Sequence, residues 1–236
     1  MKRRKVLAGA GGALITTMGG CIGKISKISF GSCRDDKTDR YESWEDYPRV
    51  DTPPQDIESQ DEDTDPDNWN EENLGECMAT EPTVAFDQRT EGFDIASDVG
   101  VAPRVEQGEG GLGWVTLIET ADAGDEIFAQ HLVDQPGWYA VDFADSVLVV
   151  IQTGPPTTAE VTLQWARVEP VETGVHIHGY YTTHSPHAGP TGASLQTSVL
   201  EMERHTEEMR VARISLTISE KKRVHFDSTE GIVNFD

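Results

Sequence analysis

Four of the seven histidines in this chain lie within twelve residues, in the pattern H-x-H-x5-H-x2-H. They are His176, His178, His184 and His187. Side chains two positions apart in a strand lie on the same face, about 6.6 Å from each other. His176 and His178 can therefore present two imidazole nitrogens to one ion. The Ser185-Pro186 turn can fold the other two histidines back toward them.

A metal site at this cluster is one of two interpretations. Imidazole ligands suit Zn, Cu or Ni, and we expect no other cofactor. No carboxylate or cysteine at a recognised ligand spacing completes the set. In the alternative interpretation the histidines belong to the solvent-facing side of a strand. That side then carries His176, His178, Tyr180 and Thr182, while the core side carries Val175, Ile177 and Tyr181.

No motif for catalysis accompanies the histidines. The sequence contains neither a G-x-S-x-G nucleophile elbow nor an H-E-x-x-H metalloprotease motif. We therefore expect no enzymatic activity. A secreted hydrolase with an unrecognised site is kept as an alternative class of function.

The N-terminus has the layout of an export signal. Four basic residues, Lys2 to Lys5, precede about fifteen uncharged and mildly apolar residues, which end in Gly19 and Gly20 before Cys21. We therefore expect a signal peptide over residues 1–20. The Arg3-Arg4-x-Val-Leu run resembles a twin-arginine signal. The Gly-Gly-Cys sequence resembles a lipobox, and this resemblance implies that Cys21 receives lipid and becomes the new N-terminus.

The chain is strongly acidic. Nineteen basic residues stand against 42 acidic residues, a net charge of −23. Removing residues 1–20 leaves 15 basic residues against 42 acidic ones, a net charge of −27. High Asp and Glu with few Lys resembles proteins of salt-loving archaea, among which twin-arginine lipoproteins are common. This charge argues against binding DNA or RNA through a phosphate-neutralising surface.

Residues 21–79 form the expected anchor and linker. Between positions 34 and 76 there are 17 acidic and 4 basic residues, with several prolines and almost no aliphatic run. This composition predicts a mostly disordered acidic linker. Cys33 and Cys77 lie at its two ends. Outside the cell they can form a disulfide, and the alternative is two separate thiols.

Residues 80–236 have the pattern of a mainly β domain. Short runs rich in Val, Ile, Thr and aromatic residues alternate with turn-forming clusters. We expect strands at residues 83–88, 114–120, 146–152, 160–168, 175–183, 195–203, 210–219 and 223–227, and a short helix at 125–132. The run 147–151 is apolar on both faces, as in a central strand. The spacing predicts a single β-sandwich or small barrel.

Residues 114–204 carry a resemblance to a known family. Trp-Val-Thr-Leu-Ile at 114–118, Val-Asp-Phe at 141–143, the apolar run to Gly154 and a closing strand near Leu200 resemble the C-terminal domain of the PrcB protease-complex subunit family. The turn at 155–159 reads PPTTA, where that family often has Gly-Gly-Tyr. The resemblance implies a small β domain with a partner-binding or accessory role and no catalytic residues.

These observations predict a lipid-anchored lipoprotein of the cell membrane that faces the extracellular side. Its β domain has a binding or accessory role, with the lipid bilayer and a protein partner as the expected contacts. The alternatives are a metal-binding protein that uses the histidine cluster and the unrecognised hydrolase.

Overall fold

The computed structural model describes residues 43–53, 84–89, 93–129, 137, 140–155, 161–183, 195–219 and 221–235. Several predicted features lie outside these residues, namely Arg3, Arg4, Cys21, Cys33, Cys77, His184 and His187. The export signal, the lipid attachment and the disulfide therefore stay predictions. Among the described residues, no helix is long and apolar enough to span a bilayer.

The chain forms ten strands, two short α-helices and one 3-10 helix over the described ranges. In chain order they are a 3-10 helix at Trp44–Asp46, β1 Val50–Asp51, β2 Phe86–Arg89, α1 Ala102–Glu106, β3 Leu112–Ile118, α2 Ala121–Ile127, β4 Ser146–Gly154, β5 Val161–Val171, β6 Gly174–Thr183, β7 Gln196–Glu203, β8 Val211–Ser219, β9 Lys222–Asp227 and β10 Val233–Asn234.

The strands form two five-stranded sheets that pack as a β-sandwich. The first sheet has the order β1-β9-β8-β6-β5 and the second has the order β10-β3-β4-β7-β2. Neighbouring strands are antiparallel except β6 and β8, which run parallel in the first sheet while the intervening β7 lies in the second. The prediction of a mainly β fold is confirmed, and of its two forms the sandwich is correct, since neither sheet closes on itself.

The main core lies between the sheets and follows the alternation of each strand. In β8, Ile214 and Leu216 face this core, while Arg213 and Ser215 occupy the other face. The central strand β4 is buried on both sides, as predicted. Val147, Val149 and Ile151 join the main core, and Leu148 and Val150 join a second cluster with Phe128.

The predicted helix at 125–132 is displaced. Helix α2 starts at Ala121 because Thr120 caps it, its Oγ1 accepting the Ala123 amide at 3.2 Å. It ends at Ile127, and the extended Phe128 forms a bridge with Ile95 and is only 2% exposed. Burial of this aromatic ring in the second cluster therefore ends the helix, while residues 130–132 lie outside the described ranges. The short elements β1, β10 and α1 were not predicted.

Part of the predicted linker belongs to the sandwich. Residues 43–53, here called the N-terminal segment, contain β1, which pairs with β9 through Val50–Val224 and Asp51–Arg223. The described fold therefore includes residues that a domain boundary at 80 leaves out. The rest of the predicted linker before residue 80 lies outside the described ranges.

Candidate functional site

The predicted histidine pair lies on the side of the first sheet that is turned away from the main core. His176 and His178 alternate along β6 with Val175 and Ile177, which join that core. Strands β5, β8 and β9 continue the same side. We call this side the polar face and define it by Arg167, Glu169, His176, His178, Arg213, Ser215, Arg223, His225 and Asp227.

The polar face is covered by the N-terminal segment. The Trp44 ring meets the His176 ring edge-on at 5.2 Å between centroids, and the Tyr47 ring meets His225 at 4.9 Å. Trp44 Nε1 donates to Asp227 Oδ2 at 2.7 Å. His176 and His178 are 4% and 3% exposed. Their predicted sharing of one strand face is correct, but the expectation that this face is open to solvent is wrong.

A serine hydroxyl links two of the histidines. Ser215 Oγ lies 2.7 Å from His176 Nε2 and 2.8 Å from His225 Nδ1. A hydroxyl has one hydrogen, so Ser215 donates to one ring and accepts from the other. The two neutral rings therefore carry opposite protonation states at the nitrogens that face Ser215.

His178 is held in one tautomer by two charged neighbours. Arg223 Nη2 lies 2.7 Å from His178 Nδ1, and His178 Nε2 lies 3.2 Å from Glu169 Oε2. A guanidinium only donates, so Nδ1 must accept, and the neutral ring carries its hydrogen on Nε2. That hydrogen is donated to Glu169, which is also paired with Arg167 Nε at 3.2 Å.

Burial keeps these imidazoles neutral. Loss of solvent is the largest cause that lowers the pKa of His176 and His178 well below 6.5, and the positive charge of Arg223 adds to the effect at both rings. Burial followed by Arg223 lowers the pKa of His225 to about 3, although the nearby Asp51 acts in the opposite direction. All three rings are therefore uncharged at pH 7.

The structure adds a carboxylate to the predicted metal ligands. One ligand atom each from Glu169, His176 and His178 lie within 4.8 Å of one another. Sequence spacing missed Glu169 because it lies across the β5–β6 hairpin, directly opposite His176. A tight turn at Glu172 and Thr173, between two strand-like runs, is the feature of the sequence that indicates this hairpin and so places Glu169 opposite His176. His184 and His187 lie outside the described residues.

The surroundings of this group oppose a cation. Arg167 and Arg223 bring two positive charges to a cluster that has one carboxylate. An ion on His178 Nε2 would displace the ring hydrogen to Nδ1, where Arg223 already points a donor. The distances among the three ligand atoms are therefore compatible with a metal ion. The positive charges of Arg167 and Arg223 and the fixed tautomer of His178 favour the site without a metal.

A pocket of about 360 Å³ opens beside the histidines, between the N-terminal segment and β9. We call it the polar pocket; it is lined by Trp44, Glu45, Tyr47, Arg49, His225, Asp227 and Glu230. Most of its polar atoms are engaged. Asp227 accepts from Trp44 and Thr229, and Glu230 accepts from Arg49 and from the Asp227 amide.

His225 Nε2 is the exception in this pocket. His225 is 3% exposed, and its Nε2 has no hydrogen-bond partner among the described residues. Its Nδ1 points along the sheet toward Ser215. Because the two ring nitrogens diverge, Nε2 points away from Ser215, and it has less than 1 Å² of accessible surface.

Ser215 does not supply the hydrolase alternative with an accessible nucleophile. Its hydroxyl contacts two histidines, which is the neighbourhood a nucleophilic serine needs. The residue is 0% exposed and lies beneath the N-terminal segment, so a substrate carbonyl has no path to it in this conformation.

No family model matches the sequence, and neither a curated protein nor a solved structure matches it.

Proposed function

We propose that this chain is a lipid-anchored protein of the outer face of the cell membrane whose β-sandwich binds a ligand in the polar pocket. The observation that carries the binding role is His225 Nε2. A buried polar atom without a partner is uncommon in proteins, because it loses its hydration without recovering a hydrogen bond. A ligand in the adjacent pocket can supply the missing hydrogen bond once the covering Trp44 and Tyr47 rings shift, because less than 1 Å² of Nε2 is accessible in this conformation.

The location rests on the sequence. Basic residues followed by a short apolar run, the Arg3-Arg4 pair and Cys21 support export and lipid attachment. The resemblance of residues 114–204 to the PrcB C-terminal domain supports a partner-binding or accessory role, so a protein is the other class of ligand. The net charge supports a partner other than nucleic acid.

Cys21→Ser is expected to move the protein from the membrane fraction to the soluble fraction, or to leave its signal peptide uncleaved. The proposed lipid on Cys21 is the only anchor in this scheme, and two long acyl chains hold a protein at a bilayer stably. Fractionation of cells followed by immunoblotting measures the change. Ser219→Ala, a small change at an exposed residue of β8, is the matched control.

Arg3→Lys with Arg4→Lys separates the export routes, since charge is kept while the twin-arginine signal is lost. Unchanged export of the double-lysine variant would leave a general secretory signal in place of the twin-arginine signal.

A cleaved Cys21→Ser protein that still sediments with membranes would overturn the lipoprotein proposal.

Metal binding is a second candidate function, favoured by the convergence of Glu169, His176 and His178 within 4.8 Å. One carboxylate and two imidazoles are a ligand set that transition metals accept. A hydrogen bond donated by His176 Nε2 to Ser215 Oγ would orient that ring and leave Nδ1 free to ligate. Binding requires Arg223 to release His178 Nδ1.

If this metal site operates, Zn, Cu or Ni will stabilise the folded protein by about 2.7 kcal/mol at a hundredfold excess over Kd. Thermal melts during metal titration measure the gain. Replacing His176 and His178 together with glutamine will abolish it, whereas replacing the exposed His205 will not. Arg223→Gln will increase it, because a repelling charge and a competing donor are lost. A flat titration in the native protein and in Arg223→Gln would exclude the site.

A further inference from the structure

The N-terminal segment is held on the polar face by surface contacts and takes no part in the main core. Among the described residues, that core is built from positions between Val84 and Phe235. None of the segment residues from Ser43 to Thr52 is buried, and the apolar Val50 is 39% exposed. Detachment of the segment therefore leaves the packing between the two sheets intact, and it requires less free energy than unfolding of the sandwich.

The segment and the polar face have opposite net charge. The polar face carries three guanidiniums and two carboxylates, a net charge of +1 while its histidines are neutral. Residues 43–53 carry three carboxylates and one guanidinium, a net charge of −2. The Glu45 carboxylate is attracted by Arg213, and Asp51 lies directly opposite Arg223 across the β1–β9 pair. In a chain with a net charge of −23, this face is therefore suited to an acidic segment of this sequence.

A long stretch of chain separates the segment from the next described residue, Val84. It comprises residues 54–83, thirty positions that reach at most about 100 Å when fully extended. That length allows the segment to contact the polar face of a neighbouring molecule. Each contact between segment and face is then reproduced, because the neighbour has the same sequence. Exchange of an identical element between protomers is a low-cost route to a dimer.

We infer that the polar face binds the N-terminal segment of a second copy of this chain, in a reciprocal exchange that covers both faces of a two-fold dimer. The polar pocket then lies between two molecules, since four of its seven lining residues belong to the segment and three belong to β9 and the turn that follows it. The inference goes beyond the proposed ligand and does not depend on it.

The balance between one copy and two depends on concentration. The acidic composition of residues 54–83 predicts a flexible linker, which gives the segment an effective concentration of order millimolar at its own polar face. A second copy competes when its concentration is similar. The proposed lipid anchor favours this competition, because it confines the copies to one membrane surface.

An exchange of charge between Arg49 and Glu230 tests the inference in the full-length protein. These side chains form an ion pair between the segment and the turn after β9, and they are 36% and 33% exposed. Arg49→Glu alone, like Glu230→Arg alone, places like charges at this contact within one molecule. In an equimolar mixture of the two variants, a reciprocal exchange restores an opposite-charge pair at both contacts of the dimer.

The mixture is expected to dimerise about tenfold more tightly than either variant alone, because the exchange relieves two repulsions. Sedimentation equilibrium at up to about millimolar concentration measures the mass. A reductant prevents disulfides between copies, and salt at about 1 M screens the repulsion between their net charges. The double variant Arg49→Glu/Glu230→Arg is the matched control. Its ion pair is restored within one molecule, so it associates no more tightly than the native protein.

Hydrogen exchange of the native protein measures detachment of the segment. The His225 amide donates to the Arg49 carbonyl oxygen at 3.1 Å, across the edge between β1 and β9. We expect this amide to exchange about a hundredfold faster than the amides of β8, which lies between β6 and β9 and opens only when the sandwich unfolds. Equal exchange rates would overturn the inference, because the segment would then not detach from the folded domain.

No excess of dimer in the mixture over the separate variants would overturn the exchange between copies, whatever the rate of detachment. The proposed ligand would survive that result, since the polar pocket is complete within one molecule. Dimerisation of the double variant to the same extent as the mixture, above that of the native protein, would also overturn the inference. The substitutions themselves, and not the exchange of segments, would then cause the association.

Discussion

Lowering the pH from 7 to 5 will reduce the free energy of unfolding by about 2 kcal/mol through the buried His225 alone, and His176 and His178 act in the same direction. In the unfolded chain each titrates near pH 6.5, whereas burial keeps the pKa of His176, His178 and His225 much lower in the folded protein. A depressed folded pKa means that the stability is complete above about pH 6.5 and falls as the unfolded state takes up protons. With a folded pKa of about 3, His225 contributes about 2 kcal/mol over this interval.

Denaturant unfolding at pH 7, 6 and 5, at constant ionic strength and without metal, measures this loss. His225→Gln should reduce the pH-dependent loss by about 2 kcal/mol, whereas the exposed His205→Gln serves as the control. A slope equivalent to less than one proton per molecule would contradict neutral, buried imidazoles.

Ser215→Ala is expected to cost about 2–6 kcal/mol of stability, because it leaves two buried nitrogens without partners. The hydroxyl bonds to His176 and His225 at 2.7 and 2.8 Å, and the serine is 0% exposed. Each unsatisfied buried group carries a desolvation penalty of roughly 1–3 kcal/mol. Because Ser215 is 0% exposed, solvent does not replace the lost hydrogen bonds to the two ring nitrogens.

Ser198→Ala is the matched control for this substitution. Ser198 is a buried serine on β7, 2% exposed, and its Oγ accepts a hydrogen bond from Gln88 Nε2 at 3.4 Å. Losing one long bond is expected to cost less than about 1.5 kcal/mol. The denaturant midpoints of Ser215→Ala and Ser198→Ala at pH 7, each compared with that of the native protein, measure the two losses of stability. A loss in Ser215→Ala no greater than that in Ser198→Ala would mean that the histidines do not depend on this hydroxyl.

Local alternation made much of the sandwich predictable. The eight predicted strands each overlap an observed one, because runs such as Ile214 to Ile218 show period-two polarity that a half-buried strand requires. The same alternation correctly placed His176 and His178 together. The pairing of β6 with β8 could not be derived in this way, since it joins strands separated by β7, which lies in the other sheet.

The partners of the histidines were missed because they are distant in sequence. Ser215 lies 39 residues from His176, and no local pattern indicates that β8 packs beside β6. The acidic composition of the N-terminal segment predicts a linker. Trp44 and Tyr47 were the contrary signal, since aromatic side chains in a chain poor in them favour a packed position.

The order of strands in the first sheet has a consequence for how the chain folds. The polar face needs β9 from the C-terminal end, while its cover, residues 43–53, comes from far upstream, with Val50 paired to Val224. Closing so long a loop costs conformational entropy before the contacts that compensate for it can form. Chains that are rich in such long-range strand pairings therefore fold slowly. The β5–β6 hairpin can form early by comparison. The histidines therefore lose water only when the two distant parts of the chain have met, so their neutral state marks the completion of folding.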